Sequence, residues 1–216
     1  AHRLENPPQP STLNWLDPGQ LADPAALIAS FGVEGVPAGM EQGGEVVAQA
    51  QLTAFLKRLD RYDADRNIPT LDGSSRLSAY LHYGHVSALQ VALEVQAHGG
   101  PGAPAYLEEL IVRRELSFNL CWYNPNYDSF AVLPDWAQKT LREHQHDHHE
   151  YLYTRAELEA AATHDPYWNA AQRQMMLTGR MHNYMRMYWG KKVLEWTPDP
   201  AQAHGTLVYL NDKYEQ

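Results

Sequence analysis

From Trp168 to Trp196 the chain reads Trp-Asn-Ala-Ala-Gln-Arg-Gln-Met-Met-Leu-Thr-Gly-Arg-Met-His-Asn-Tyr-Met-Arg-Met-Tyr-Trp-Gly-Lys-Lys-Val-Leu-Glu-Trp. Its apolar residues recur at helical rather than alternating spacing, so the segment folds as helix and not as strand. Trp189 and Trp196 are seven residues apart, which puts both indoles on one helical face about 10 Å apart along the axis. An amphipathic helix carrying such a stripe ordinarily buries it as plain core. The company is unusual here: Gln172, Arg173, His182, Asn183 and Arg186 lie in the same run. Polar groups of that kind need partners when buried, and the run reads as the wall of a cofactor site built on helices.

The remaining pattern is helical as well. Residues 1 to about 24 are rich in Pro, Asn and Gln and read as a linker, with one short turn near Trp15-Leu16. Asp23-Pro-Ala-Ala-Leu-Ile-Ala-Ser predicts a short helix with Asp23 as cap and Pro24 in its first position. Glu45 to Leu59 is periodic and helical, Tyr62 to Gly73 carries turn residues and is expected to be loop, and Ser78 to Ala97 is helical with a break at His82-Tyr-Gly-His85, where Ser87 restarts it. Further helices are expected at Pro104 to Trp122, Asp135 to His144, Thr154 to His164, Pro166 to Trp196 with a break near Thr178-Gly179, and Ala201 to Tyr214. No strand stands out, so the fold class is all-α, with a linker and short helix over 1–44 and one helical domain over 45–216.

At 216 residues the chain can bury one sizeable core. Six Trp and thirteen Tyr suit an interior that holds a flat aromatic ligand. Cys121 is the sole cysteine, which excludes an intrachain disulfide and a multi-cysteine zinc site. No signal peptide or membrane-length apolar run is evident, so a soluble intracellular protein, cytoplasmic or nuclear and without a membrane partner, is expected. The formal net charge of −9 opposes wholesale nucleic-acid binding, yet Arg113, Arg114, Arg173, Arg180, Arg186, Lys191 and Lys192 leave room for a local basic face.

Two clusters have an ordinary and a functional reading. Ser74-Ser-Arg-Leu-Ser78 precedes an apolar-periodic stretch, so it is either a plain helix cap or an anion site made of hydroxyls and free backbone N–H groups. His144-Gln-His-Asp-His-His149 has ligand-type residues, but on a polar helix end they do not converge on one point, so it reads as a solvated run with no metal.

Three blocks taken together carry a resemblance: the Trp168–Trp196 run, Ser74-Ser-Arg-Leu-Ser-Ala-Tyr-Leu-His-Tyr-Gly-His-Val-Ser, and Tyr106-Leu-Glu-Glu-Leu-Ile-Val-Arg-Arg-Glu-Leu-Ser-Phe-Asn followed by Tyr-Asn-Pro-Asn-Tyr-Asp-Ser. In this order, over roughly residues 50 to 214, they resemble the FAD-binding helical domain of the photolyases and cryptochromes, specifically the class II cyclobutane pyrimidine dimer photolyases. That resemblance implies light-driven electron transfer from reduced FAD to a pyrimidine dimer in DNA. It implies that Ser74, Ser75, Arg76, Leu77 and Ser78 wrap the FAD diphosphate, with Tyr62, Tyr106, Asn183 and Arg186 also at the cofactor. Family members usually have Gly where Asn183 stands, which is a departure. Glu109 is implied to hydrogen-bond the dimer bases, with Met187 facing substrate and Tyr188 as an auxiliary tyrosine. Trp189, Trp168 and Trp196 are implied to form an electron-transfer chain, with Trp189 innermost and Trp196 toward the surface. Arg66, Arg113 and Arg180 are implied to meet DNA. Tyr106, Glu109 and Arg113, at one-turn spacing, are expected along one helical face.

The family continues past the position of Gln216 with an Asp-Gly-Arg-Asp segment and cavity-closing helices, and carries an antenna domain before the linker. The chain is therefore expected to be a monomeric piece of a longer protein that binds FAD poorly alone. A cryptochrome-like photoreceptor and a helical module without cofactor stay open as alternatives.

Overall fold

In the computed structural model, described for residues 19, 22–32, 39, 41–71 and 73–215, every regular element is helical. The chain divides into two compact units, Ala1–Val36 and Pro37–Gln216. The turn expected near Trp15 lies outside the described residues. The first unit contributes helix α1, Pro24–Ser30, whose Ala26 N–H donates to the Asp23 carboxylate at 3.0 Å, with Pro24 where a missing N–H costs nothing.

The second unit contains two hydrophobic cores. The first is built by α2 (Glu45–Leu56), α4 (Ser78–His82), α5 (Ala88–His98) and α6 (Ala103–Leu107), and holds Leu52, Phe55, Leu59, Leu77, Val91, Val95 and Tyr106. Helix α2 stops at Leu56, short of the expected Leu59. Leu59–Arg61 forms a 3₁₀ turn that leads into a one-turn helix, α3, Tyr62–Asp65, where loop was expected. Leu59 and Tyr62 are both buried, and side chains three apart eclipse in a 3₁₀ turn, so the tighter winding aims both into the core.

Ala103 to Tyr123 is helical throughout, as α6, a π-helical stretch Glu108–Arg113 and α7 (Arg114–Tyr123). The wide turn overturns the expected common face: Glu109 lines a cavity, whereas Arg113 is exposed and pairs with Glu108 at 3.7 Å. π-turns of this kind re-aim side chains and concentrate at functional sites.

Helix α8 spans Asp135–Glu143. The second core is built by α9 (Arg155–Glu159), α10 (Pro166–Thr178), α11 (Asn183–Glu195) and α12 (Pro200–Tyr214) around Leu158, Trp168, Met175, Trp189, Val193, Trp196 and Leu210. Helix α9 starts with a Thr154–Glu157 capping box but ends well before His164. Ala161 turns to a φ of 52°, and Thr163 and Asn169 exchange hydrogen bonds that tie the following turn to α10. The break between α10 and α11 falls at Gly179, whose φ of 67° is the left-handed cap that glycine allows. No helix among the described residues is long and apolar enough to cross a membrane.

Candidate active site

A cavity of about 480 Å³ opens where the two cores meet. The first core's side supplies Tyr62, Arg66, the Ser74–Ser78 loop and Glu109; the second's supplies Gln174, Arg180, Met181, His182, Asn183, Arg186 and Glu215.

The serine loop is held from behind by α2 and the turn that follows it. Gln51 Nε2 donates to the Ser75 carbonyl at 2.8 Å and Arg58 to the Ser74 carbonyl at 2.9 Å. The Leu77 N–H donates to Ser75 Oγ at 3.3 Å, and Arg76 takes a φ of 58°. A non-glycine residue in that region is strained, and such residues cluster at ligand clamps. Gly73 lets the loop approach: a Cβ there would lie 2.5 Å from the Asp65 carbonyl carbon and 2.8 Å from the Arg66 nitrogen.

The walls are rich in charge. Arg66 donates to the Glu109 carboxylate, and its guanidinium carbon lies 5.5 Å from the Tyr62 ring centroid. Arg186 pairs with Glu215, which also accepts the Met181 N–H at 3.2 Å. Burial nevertheless pushes the Glu215 carboxyl above its usual range, against the pull of Arg186. Arg180 Nη1 is buried and has no hydrogen-bond partner among the described residues. A buried cationic donor left so is costly unless an anion meets it. With the serine loop on the same cavity, the donor set fits a diphosphate, the anionic part of the FAD that the resemblance implies.

The tryptophans are contiguous. Trp168 stacks on Trp189, with centroids 6.5 Å apart and planes at 10°, and meets Trp196 edge-on at 5.6 Å. Trp168 Nε1 donates to the Trp189 carbonyl at 3.1 Å, and Trp189 Nε1 donates to Gln172 Oε1 at 2.8 Å. Trp189 follows the cavity-lining Arg186 by one turn of α11. Trp168 thus lies between Trp189 and Trp196, and Trp196, expected toward the surface, is only 1% exposed. Tyr153 and His164 cover it.

Other expected residues sit apart from the cavity. Tyr106 is in the first core, edge-on to Tyr62 at 5.2 Å, and burial pushes its phenol up to about 12 against a hydrogen bond with Ser75. Tyr188 donates to Asp165, and that bond, more than burial, pushes its phenol up to about 12. Met187 is 63% exposed, and Arg113 points away, as above. In the histidine run, His144 pairs with Asp147 at 2.7 Å and His149 meets the Glu195 carbonyl at 2.7 Å; no group of three metal-ligating side chains converges among the described residues. Gln51, Arg58, Gln174 and Glu215 escaped the sequence reading. No local pattern marked them: Gln51 lies on α2 and Arg58 in the turn just after it, and each acts by reaching the serine loop.

No family model matches the chain. It is 51% identical over 175 residues to a deoxyribodipyrimidine photo-lyase of Methanothermobacter thermautotrophicus, covering 81% of this chain and 39% of that protein. It is 47% identical to one of Oryza sativa subsp. japonica, covering 98% of this chain and 44% of the relative, and 44% identical to one of Potorous tridactylus, covering 80% and 33%. The chain thus spans less than half the length of these relatives. A class III photolyase crystal structure from Agrobacterium tumefaciens superposes with a TM-score of 0.58 at 20% identity, covering 80% of this chain and 39% of that one, and shares its fold. With the serine loop, the arginine-lined cavity and the stacked indoles already described, these relatives identify the chain as belonging to the photolyase family.

Proposed function

We propose that this chain is the cofactor-binding part of a class II photolyase that repairs cyclobutane pyrimidine dimers in DNA, with FAD in the cavity between the two cores. The observation that carries the reading is the buried indole stack that begins one helical turn from a cavity whose arginines and serines suit a diphosphate. Reduced FAD, excited by blue or near-UV light, supplies one electron to the dimer, which splits and returns it.

The chain's own residues do the positioning. Ser74, Ser75, Arg76, Leu77 and Ser78 hold the diphosphate, with Arg180 as its counter-charge, Tyr62, Asn183 and Arg186 lining the rest of the site and Tyr106 backing Ser75 from the first core. Glu109 accepts hydrogen bonds from the dimer bases, and Arg66 orients its carboxylate. Met187 and Tyr188, which stand outside the cavity, are assigned to the substrate side, and Arg66 and Arg113 offer charge to the phosphate backbone, whereas Arg180, expected there, is committed to the diphosphate. The dimer must leave the duplex stack to reach the cavity, which costs a few kcal/mol and least at a lesion that is already poorly stacked. Trp189, Trp168 and Trp196 pass electrons inward to keep the cofactor reduced.

The test illuminates dimer-containing DNA with the chain and a large excess of reduced FAD, and counts restored thymines. Light-dependent restoration that Glu109→Gln diminishes supports repair. Bound, photoreducible flavin with untouched dimers would instead favour a cryptochrome-like photoreceptor, and absence of flavin binding would remove both readings.

A further inference from the structure

Among the described residues Gln172 is the one buried polar side chain at 0% exposure, and its amide is only half used. Its Oε1 accepts the Trp189 indole N–H at 2.8 Å, whereas its Nε2 is buried with no hydrogen-bond partner among the described residues. Asn169, on the same helix, satisfies both ends of its amide at Thr163. An amide donor buried without a partner is costly. Met175, a turn further along α10, fills the second core without that cost. What Gln172 contributes there is therefore its one contact, to Trp189.

That contact decides what the indole N–H can do. Trp189 is 4% exposed, and Gln172 Oε1 is the acceptor at its Nε1. An amide oxygen accepts a hydrogen bond but is far too weak a base to take the proton. Trp168 Nε1 likewise donates to an amide oxygen, the Trp189 carbonyl, at 3.1 Å. The two indoles are thus clamped: one bond runs from the Trp189 side chain to α10, another from the Trp168 side chain to α11, and the ring planes lie 10° apart. A hydrogen bond strengthens when its donor becomes charged, so the Gln172 oxygen favours a positive indole over a neutral one.

We propose that Gln172 is a positioning residue for the relay that lets Trp189 lose an electron while its N–H bond stays intact. The proposal rests on the flavin and indole chain described under Proposed function. Trp189 gives one electron to the photo-excited flavin and is left as a radical cation, its proton still on Nε1 and hydrogen-bonded to Gln172 Oε1. One electron from Trp168 then restores the neutral Trp189 indole, and the positive charge moves to Trp168. No bond to hydrogen breaks in either step. A base at position 172 would take the proton, and Trp168 could refill the neutral indolyl radical left behind only with that proton's return.

The experiment uses the FAD-loaded chain carrying Trp168→Phe, which confines the charge to Trp189, and follows the radical by transient absorption after a light flash in H₂O and D₂O. With Gln172 in place, the protonated radical cation is expected, decaying at the same rate in both solvents. Gln172→Met, of similar size but without the acceptor, is expected to lower the yield of that cation about tenfold, the effect of losing one hydrogen bond to a charged group. Gln172→His supplies an imidazole that burial keeps neutral, and it is expected to give the deprotonated radical instead, formed more slowly in D₂O and longer-lived. A deprotonated Trp189 radical with Gln172 in place, or an equal cation yield with Gln172→Met, overturns the proposal and leaves the flavin reading intact. The first of these outcomes needs no change at Gln172, so a variant that fails to fold does not remove the test. A chain that binds no flavin, or whose bound flavin draws no electron from any indole, overturns both.

Discussion

Gly73 has only hydrogen where a Cβ would press on the Asp65 and Arg66 backbone, and backbone cannot step aside as a flexible side chain can. Gly73→Ala is therefore expected to destabilise by about 1–3 kcal/mol, the usual range for overpacking, and to lower FAD affinity by displacing the serine loop. Thermal unfolding and a flavin fluorescence titration measure the two effects. Glu109 makes the contrasting case. Its ion pair with Arg66 joins side chains 40% and 25% exposed, and pairs so open to solvent are worth about 0–1 kcal/mol. Glu109→Gln should leave stability nearly unchanged while cutting repair yield, as measured by thymines restored per photon absorbed. Ser74, Arg76, Arg180 and Arg186 were legible from sequence because each sits in a dense local block. Gln51 and Arg58 were not, because their role lies in reaching carbonyls more than a dozen residues away. The exit of the indole chain was misjudged for a similar reason: the sequence places Trp196 at a helix end, but only folding brings the Tyr153 and His164 rings over it.

Helix α10 positions Trp168, and its start depends on Asp165, whose carboxylate accepts the Tyr167 and Trp168 N–H groups at 2.9 and 3.0 Å and the Tyr188 hydroxyl. Asp165→Ala is expected to cost about 1 kcal/mol as a lost N-cap, and somewhat more because the Tyr188 hydroxyl loses its acceptor; chemical denaturation measures it. Burial alone would raise the Asp165 carboxyl, but these hydrogen bonds outweigh it and hold it below the usual range. A carboxyl depressed in the folded state stabilises the fold above its unfolded pKa, and that contribution disappears as pH falls through the lower folded value. Denaturation profiles in acid should therefore show wild type losing its advantage over Asp165→Asn below about pH 4, the unfolded aspartate range. Most helices were legible because periodicity and caps agree, as at Asp23 and Gly179. The misplaced boundaries share one cause, since burial of Leu59 and Tyr62, the positive φ of Ala161 and the π-turn at Glu109 are tertiary outcomes that local propensity does not encode.

Across the whole molecule, the cavity is the junction of two separately packed cores, and a ligand spanning it ties them together. FAD present at 100 times its dissociation constant is expected to stabilise the chain by about 2.7 kcal/mol through mass action. Arg180→Ala should weaken that effect by removing the buried cationic donor, as read from unfolding curves with and without FAD. The −9 net charge and the cavity arginines act at different ranges: if the proposed DNA substrate is right, long-range repulsion opposes its approach, whereas Arg66, Arg76, Arg180 and Arg186 act at contact. In the proposed function, light moves an electron through Trp196 and Trp168 to Trp189 and on to a flavin in this cavity. It is tested most directly by photoreduction of bound FAD under steady blue light with an external reductant, comparing wild type with Trp168→Phe. Bleaching of the oxidised flavin band is expected in wild type and a steep loss of that rate in Trp168→Phe, with repair by chemically reduced FAD preserved. Equal photoreduction rates in the two proteins would contradict it.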